Sequence, residues 1–243
     1  MGKWCGRSLS CRFQTNLCWI SGALLLLLAV IMAAILFAEL ARCEREGAKE
    51  TAAEAEKSVP RRAALTFDDG PNACYTPEVL EILKENEIPA TFFLQGQCLA
   101  GNEEIVRRMH AEGHLIGNHT FHHVQLTKVS EEEAREEVVK TSNAIYEITG
   151  EYPVYIRPPF GEWREGLDLA VTMIPVLWDV DSRDWESQNT ASICSVVLPN
   201  VKDGSIILMH DGYRATVEAL RRIVKELKEE GYTFVTVREL IEE

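Results

Sequence analysis

The stretch AALTFDDGP, residues 63–71, decides the fold of this 243-residue chain. A short apolar run that ends at two carboxylates and a Gly-Pro turn is typical of a strand buried on both faces of a sheet. Further apolar runs follow at intervals along the chain, at residues 90–95, 115–118, 154–157, 174–178, 205–209 and 233–237. The chain is therefore expected to contain about seven strands.

Helical patterns separate these candidate strands. Thr76 is expected to cap one helix, and a third helix is expected over residues 216–229. Between them, Ser130 and Glu133 form the pattern of a capping box, and this helix is expected to end at Gly150. Repeated βα units specify a parallel sheet and favour an α/β fold with a distorted or incomplete (β/α) barrel of about seven units. A doubly wound open sheet is the alternative.

Charge and motif content argue against two classes of partner. The chain carries 25 Lys and Arg residues against 38 Asp and Glu residues, a net charge of −13, with the acidic excess in residues 61–243. Because phosphate backbones are bound by clustered basic side chains, this balance argues against a nucleic acid. No glycine-rich phosphate loop follows a candidate strand, which argues against a nucleotide. The glutamate-rich run 131–137 is expected to be a solvated helix face.

The N-terminal part carries a targeting signal. Residues 19–38 form an uncharged, apolar stretch of 20 residues, long enough as a helix to cross a bilayer. Because basic residues precede this stretch, the N-terminus is expected in the cytoplasm and the rest of the chain outside, as in a single-pass protein of the cell membrane. Its parts are a short cytoplasmic N-terminus (1–18), a transmembrane signal anchor (19–38), a juxtamembrane linker (39–60) and an extracellular domain (61–243). A cleaved signal peptide and lipidation at Cys43 are the alternatives.

Polar side chains at the strand ends include a candidate metal site. The six histidines of the chain are residues 110, 114, 119, 122, 123 and 210. Because the carboxyl ends of parallel strands meet at one face, His119 and His123 are expected to lie near Asp69. Two imidazoles and one carboxylate leave an open position for water on Zn2+ or a similar ion. His122 is expected to be a neighbour of this site, and the remaining i, i+4 pair of histidines is expected to be structural.

Five short motifs, in this order, resemble those of the polysaccharide deacetylase (NodB homology) family, carbohydrate esterase family 4. They are TFDDGP (66–71), HTFHH (119–123), RPPF (157–160), DSRDW (181–185) and ILMH (207–210). The resemblance covers about residues 61–240. It implies a distorted (β/α) barrel that uses a divalent metal to remove N-acetyl groups from peptidoglycan, chitin-type oligomers or related glycans. Residues 61–243 are accordingly expected to be the catalytic domain.

The resemblance also implies which residues bind the metal and activate water. Asp69, His119 and His123 would hold one divalent ion, with Zn2+ favoured and Co2+, Mn2+, Ni2+ or Fe2+ left open. Asp68 would be the general base that takes a proton from the attacking water. Arg157 would pair with Asp68 and fix its orientation.

The same resemblance implies the groups that complete the reaction. The backbone N–H of Phe160 would stabilise the developing oxyanion. His210 would protonate the departing amine, with Asp184 orienting its imidazole. Trp185 and Leu208 would form the walls of the pocket that receives the acetyl methyl group.

These inferences predict a membrane-anchored, metal-dependent hydrolase that removes N-acetyl groups from an extracellular amino-sugar polymer. A cell-wall location favours peptidoglycan as the glycan partner. The alternatives are deacetylation of chitooligosaccharides or another acetylated glycan, and a non-catalytic module of the same fold that binds a metal or a glycan. A metalloprotease is disfavoured because no Glu follows His119 in the His-Glu-x-x-His manner.

Overall fold

A computed structural model describes residues 30–45, 60–169 and 172–242 of the chain. Residues 30–45 form helix α1. Across these three ranges, no helix combines the length and the apolar character that a bilayer-spanning segment needs. The predicted cytoplasmic N-terminus, residues 19–29 of the predicted anchor and residues 46–59 of the predicted linker lie outside the described residues. The N-terminal organisation therefore stays a prediction.

Within the compact unit Pro60–Glu243, the residues that the structure describes form a sheet of eight strands in which every pair is parallel. The strands are β1 (Arg61–Asp68), β2 (Thr91–Leu94), β3 (Leu115–Asn118), β4 (Tyr155–Ile156), β5 (Ile174–Pro175), β6 (Val180–Asp181), β7 (Ser205–His210) and β8 (Tyr232–Phe234). Six of the seven predicted strands differ from the observed ones only at their ends or in length, and 115–118 matches β3. Strand β6 was not predicted.

The strand order is that of an opened barrel. Neighbours along the sheet run β5-β4-β3-β2-β1-β7-β6, and β8 pairs with Arg61–Ala63 at the start of β1. This is the order of a ring of consecutive βα units with one break, between β5 and β6. A doubly wound sheet would instead reverse direction at an internal switch point. The predicted α/β fold, a distorted and incomplete (β/α) barrel, is therefore confirmed within the described residues.

The described residues of the same unit also form seven helices, and these include the three that the sequence predicts. They are α2 (Thr76–Glu85), α3 (Glu103–Ala111), α4 (Glu131–Thr149), α5 (Asp184–Ser187), α6 (Thr190–Val197), α7 (Arg214–Glu229) and α8 (Val237–Ile241). Helix α4 begins at the expected N-cap, because the Ser130 side chain accepts a hydrogen bond from the Glu133 backbone N–H, and it ends at Gly150 with φ 77°. Only glycine adopts such a φ without strain. The predicted capping box is only half formed, since no hydrogen bond joins the Ser130 backbone N–H to the Glu133 side chain in the described part of the chain.

The predicted capping role of Thr76 is wrong. Tyr75 occupies the N-cap position of α2, and no side chain caps the helix there. The Thr76 hydroxyl instead donates a hydrogen bond to the buried carboxylate of Asp211 and accepts one from the backbone N–H of Asn72. Thr76 lies one position inside the helix, where its hydroxyl satisfies a buried acid rather than the helix end.

The alternation of side chains along β1 points its polar residues towards the barrel interior. Ala63, Leu65 and Phe67 belong to the main core with the surrounding helices, whereas Ala64 belongs to a separate cluster with Phe93. With a period of two, Thr66 and Asp68 share the inner face with Ala64. This register brings Asp68 to the carboxyl end of the barrel interior.

Candidate active site

The carboxyl ends of the strands surround a cleft of about 410 Å³. Eight of the ten residues proposed from the sequence line this cleft, namely Asp68, Asp69, His119, His123, Phe160, Trp185, Leu208 and His210. Arg157 and Asp184 are fully buried beside it and contact Asp68 and His210. All ten residues therefore lie in one region of the molecule.

Asp69, His119 and His123 present three ligand atoms that lie within 4.8 Å of one another. Asp69 Oδ1 is 3.4 Å from His119 Nε2 and 3.6 Å from His123 Nε2. The His119 Nδ1 lies 2.6 Å from the carbonyl oxygen of Arg157. Because a carbonyl only accepts, Nδ1 carries a proton, and Nε2 is the ring nitrogen that faces Asp69 and could bind a metal ion.

The protonation of this cluster also suits a cation. Burial, together with the neighbouring His119, lowers the pKa of His123, which favours a neutral imidazole with a free lone pair. Burial alone would raise the pKa of Asp69, but His119, His123 and His210 outweigh it and hold that pKa well below its ordinary value. One carboxylate and two imidazoles form a donor set that fits Zn2+ or a similar divalent ion.

Backbone strain accompanies these side chains. Asp69, Thr120, His123 and Phe160 all have φ between 60° and 71°, the left-handed region that non-glycine residues avoid. Each such residue costs on the order of 1–3 kcal/mol and persists only where its surroundings fix it. Their clustering around the cleft favours a functional arrangement over a purely structural one.

Arg157 orients Asp68 from inside the barrel. The guanidinium is completely buried, and its Nη1 donates hydrogen bonds to Asp68 Oδ1 at 2.8 Å and to Thr66 Oγ1 at 2.6 Å. Its Nε and Nη2 donate to two backbone carbonyl oxygens at 3.2 Å and 3.0 Å. The second carboxylate oxygen, Asp68 Oδ2, lies 3.9 Å from His119 Nε2. One oxygen of Asp68 is therefore held by Arg157, while the other faces the group of Asp69, His119 and His123, called here the metal-type cluster.

Asp184 orients His210, which ends β7 as the register partner of Asp68 in β1. Asp184 is fully buried; its Oδ1 lies 2.7 Å from His210 Nδ1, and its Oδ2 accepts from the His210 backbone N–H and the Thr216 hydroxyl, each at 2.7 Å. Burial opposes the charged form of His210, but the hydrogen bond and charge of Asp184 outweigh it and raise the pKa of His210 to about 9. His210 Nε2 lies 3.9 Å from Asp69 Oδ2. The imidazole thus enters the cleft as a proton donor.

Asp211, the residue after His210, has a different environment. It is buried, its Oδ1 has no hydrogen-bond partner among the described residues, and burial raises its pKa to about 7. Gly70 packs directly on this carboxylate, because a Cβ added at Gly70 would lie 2.6 Å from Asp211 Oδ2. A glycine at this position lets the Asp69 loop approach Asp211 closely.

Aromatic and aliphatic side chains form the rest of the cleft. Trp185 is 48% exposed, Phe160 is 65% exposed and Leu208 is buried. The Phe160 ring meets the His123 ring edge-on, with centroids 4.9 Å apart. Trp178 also lines the cleft and was not proposed from the sequence. The cleft therefore combines ionisable groups with apolar walls, as sites for small polar groups on larger ligands do.

With this geometry established, comparisons with known proteins identify the family. The family model described as polysaccharide deacetylase matches residues 55–173. The chain is 39% identical, over 180 residues, to the peptidoglycan-N-acetylglucosamine deacetylase PgdA of Listeria monocytogenes, covering 74% of this chain and 39% of that protein. It is 37% identical to a chitooligosaccharide deacetylase of Bradyrhizobium, covering 72% of this chain and 88% of that protein. This chain belongs to the polysaccharide deacetylase family.

A solved structure of the family agrees with the fold. The structure of peptidoglycan deacetylase PdaC from Bacillus subtilis matches with a TM-score of 0.73 and 39% identity, covering 75% of this chain and 91% of that one. The chain spans only about two fifths of the length of the Listeria deacetylase. The match to the PdaC structure thus agrees with the barrel fold described above.

Glu137 of this polysaccharide deacetylase family member was expected on a solvated helix face, and that prediction is wrong. Glu137 is 7% exposed, and its Oε2 accepts hydrogen bonds from the backbone N–H groups of Phe121 at 2.9 Å and His122 at 2.7 Å. Its Oε1 lies 2.7 Å from His122 Nδ1. Glu137 lies on the helix face that carries the buried Ala134 and Thr141, three residues before it and four after it. That spacing was the signal that could have identified it.

His122 lies beside the metal-type cluster and pairs with Glu137, in keeping with its expected place as a neighbour. Gln95 is a second residue that sequence reasoning missed. Its side-chain Nε2 donates a hydrogen bond to Asp69 Oδ1 at 2.6 Å. Gln95 directly follows β2. Because the carboxyl ends of parallel strands meet at one face, the reasoning applied to the ends of the first and third strands would have identified it as well.

Proposed function

We propose that this chain is a metal-dependent hydrolase that removes N-acetyl groups from an extracellular amino-sugar polymer, and that the polymer is peptidoglycan. The observation that carries the proposal is the arrangement of an oriented carboxylate, Asp68, and an oriented imidazole, His210, beside the Asp69, His119 and His123 cluster. The Listeria and Bacillus relatives, which are named as peptidoglycan deacetylases, support the choice of polymer.

Asp69, His119 and His123 would hold the divalent ion, for which Zn2+ is the first choice. When bound, such an ion lowers the pKa of a coordinated water and polarises a carbonyl oxygen. The Arg157 carbonyl keeps His119 in the tautomer that binds through Nε2. The protein thereby prepares its ligands without rearrangement.

Asp68 acts as the general base in this proposal. Its Oδ2, the oxygen that Arg157 leaves free, accepts a proton as water attacks the acetamide carbon. The developing oxyanion accepts a hydrogen bond from the backbone N–H of Phe160. Arg157 does not touch the substrate and serves as a positioning residue.

His210 completes the reaction as the general acid. Its Nε2 gives a proton to the departing nitrogen, so that acetate and a free amine leave the cleft. Asp184 holds Nδ1 and supports the cationic imidazole before the proton is given up. Trp185 and Leu208 form the apolar pocket for the acetyl methyl group.

Removal of the metal is the direct test of this reaction. Acetate release by the purified full chain from peptidoglycan is expected to fall to background after chelation and to return when Zn2+ is added. N-acetylglucosamine oligomers form the second substrate arm, and faster release from them would replace peptidoglycan with a chitin-type substrate. Acetate release that survives complete chelation would contradict metal dependence, and peptide cleavage without acetate would favour a metalloprotease.

We also propose that residues 19–38 anchor the chain in the cell membrane with residues 61–243 outside. The support is the uncharged, apolar composition of this stretch and the basic residues before it. The full-length chain is expected in the membrane fraction, to be released by detergent but not by carbonate, and to be digested by protease added to intact spheroplasts. Recovery of a shortened chain from the medium would favour a cleaved signal peptide instead.

A further inference from the structure

Gln95 contacts the one carboxylate oxygen that faces both imidazoles of the metal-type cluster. Its Nε2 donates to Asp69 Oδ1 at 2.6 Å, and the same oxygen lies 3.4 Å and 3.6 Å from the Nε2 atoms of His119 and His123. A carboxylate accepts through several lone-pair directions. The amide therefore fixes how Asp69 Oδ1 is turned while leaving a direction open towards the histidines.

Asp69 needs such support more than its neighbours do. Its side chain is 39% exposed and its φ is 71°, whereas Asp68 and His119 have side chains 4% exposed and are held by Arg157. Apart from the histidines, Gln95 is the one side chain of the described residues that donates a hydrogen bond to Asp69. Without it, the carboxylate would be free to turn towards solvent.

The orientation of the Gln95 amide follows from its two partners. Its Oε1 accepts a hydrogen bond from Gln97 Nε2 at 2.8 Å, and its Nε2 faces a carboxylate, which can only accept. The nitrogen must therefore point at Asp69. Gln97 is exposed, so water would replace its contact if its side chain were removed.

The turn formed by residues 95–97 also joins the two loops that carry the cluster. The Gln95 backbone N–H donates to the Gly70 carbonyl at 3.0 Å, next to Asp69. The N–H groups of the next two residues donate to the carbonyls of Thr120 and Phe121, at 2.9 Å and 3.0 Å, between His119 and His123. A change in the backbone of this turn would reach all three candidate ligands together, whereas a side-chain substitution keeps these N–H groups.

We infer that Gln95 is a positioning residue that sets the metal affinity of this chain, through the hydrogen bond from its side-chain amide to Asp69 Oδ1. The inference rests on the metal site of the proposed function. Outer hydrogen-bond partners of metal ligands typically change affinity or activity by about 10- to 100-fold when they are removed. A loss of that size is expected for Gln95, because it restrains the anionic ligand.

The test compares Gln95→Met with Gln97→Met in the full chain. The Zn2+ dissociation constant, measured by competition with a chelating dye and without any glycan, is expected to rise about 10- to 100-fold for Gln95→Met and to stay within about threefold for Gln97→Met. The visible absorption of the Co2+-loaded protein is expected to change in Gln95→Met alone. Thermal unfolding of the metal-free proteins monitors folding, because metal affinity has meaning only for folded protein.

A Zn2+ dissociation constant for Gln95→Met within about threefold of the parent value would overturn the inference. If Gln95→Met does not fold, Gln95→Asn decides, since it keeps a polar side chain but is one methylene too short to reach Asp69. Weaker Zn2+ binding by that variant supports the inference, and unchanged binding overturns it. A parent chain that binds Zn2+ but releases no acetate would contradict the deacetylase proposal and leave this result standing.

Discussion

Replacement of Asp68 with Asn is expected to lower the rate of acetate release by about 10²- to 10⁴-fold, the usual contribution of a general base. The two side chains have the same shape, so the Asn oxygen can still accept the hydrogen bond from Arg157 Nη1. The group at the position of Oδ2 becomes an amide NH2, which cannot take a proton from water. The expected loss therefore reports proton transfer rather than shape.

Metal binding provides the necessary second measurement for Asp68→Asn. Asp68 is not among the three candidate ligands, so the Zn2+ dissociation constant is expected to stay within about threefold of the parent value. Loss of both Zn2+ binding and acetate release would show that Asp68 acts as a ligand, and this would overturn its assignment as the base.

Asp181→Asn is the matched control for this substitution. Asp181 lines the same cleft, but its Oδ1 accepts a hydrogen bond from the nearby Arg183 backbone N–H and is not paired with a buried cation. The same chemical change there is expected to alter acetate release by less than about threefold. If Asp68→Asn and Asp181→Asn reduced the rate equally, the effect would reflect cleft charge, and the general-base assignment would be wrong.

The sequence could predict the strands whose burial is continuous and whose ends carry distinctive residues. Strand β3 was predicted with its observed ends, because an apolar pair stands between Gly113 and the polar run that begins at His119. Strand β6 could not be predicted in this way. It has two residues, Val180–Asp181, and exists through its register with Ile207 and Leu208 of β7 rather than through any apolar run.

The same difference separates the residues of the candidate site that the sequence predicts from those that it does not predict. Asp68, His119 and His210 stand at or just after strand ends, and the convergence of parallel strands was enough to bring them together. Glu137 lies within a helix that is acidic on several faces, and its role depends on a loop that packs against that helix. The acidic composition of the helix predicted that Glu137 is exposed to solvent. In the structure, the backbone N–H groups of Phe121 and His122 need a hydrogen-bond acceptor, and Glu137 supplies it.

Replacement of Arg157 with Met is expected to lower the free energy of unfolding by about 3–5 kcal/mol, the usual effect of removing one partner from a buried ion pair. The guanidinium is fully buried and pairs with Asp68, which is itself 3% exposed. Without it, Asp68 and Thr66 lose a donor, and a buried carboxylate has no compensating charge. Urea unfolding of the metal-free protein measures the change.

Arg222→Met serves as the control for Arg157→Met, because Arg222 pairs with Glu226 on the surface of α7 with its side chain 56% exposed. Exposed pairs contribute about 0–1 kcal/mol, so this variant is expected to unfold close to the parent. In the double variant Arg157→Met/Asp68→Asn, the amide removes the uncompensated charge, and about 0.5–3 kcal/mol of coupling is expected. Strictly additive losses, or a loss below about 1 kcal/mol for Arg157→Met alone, would mean that the buried pair does not hold Asp68 in place.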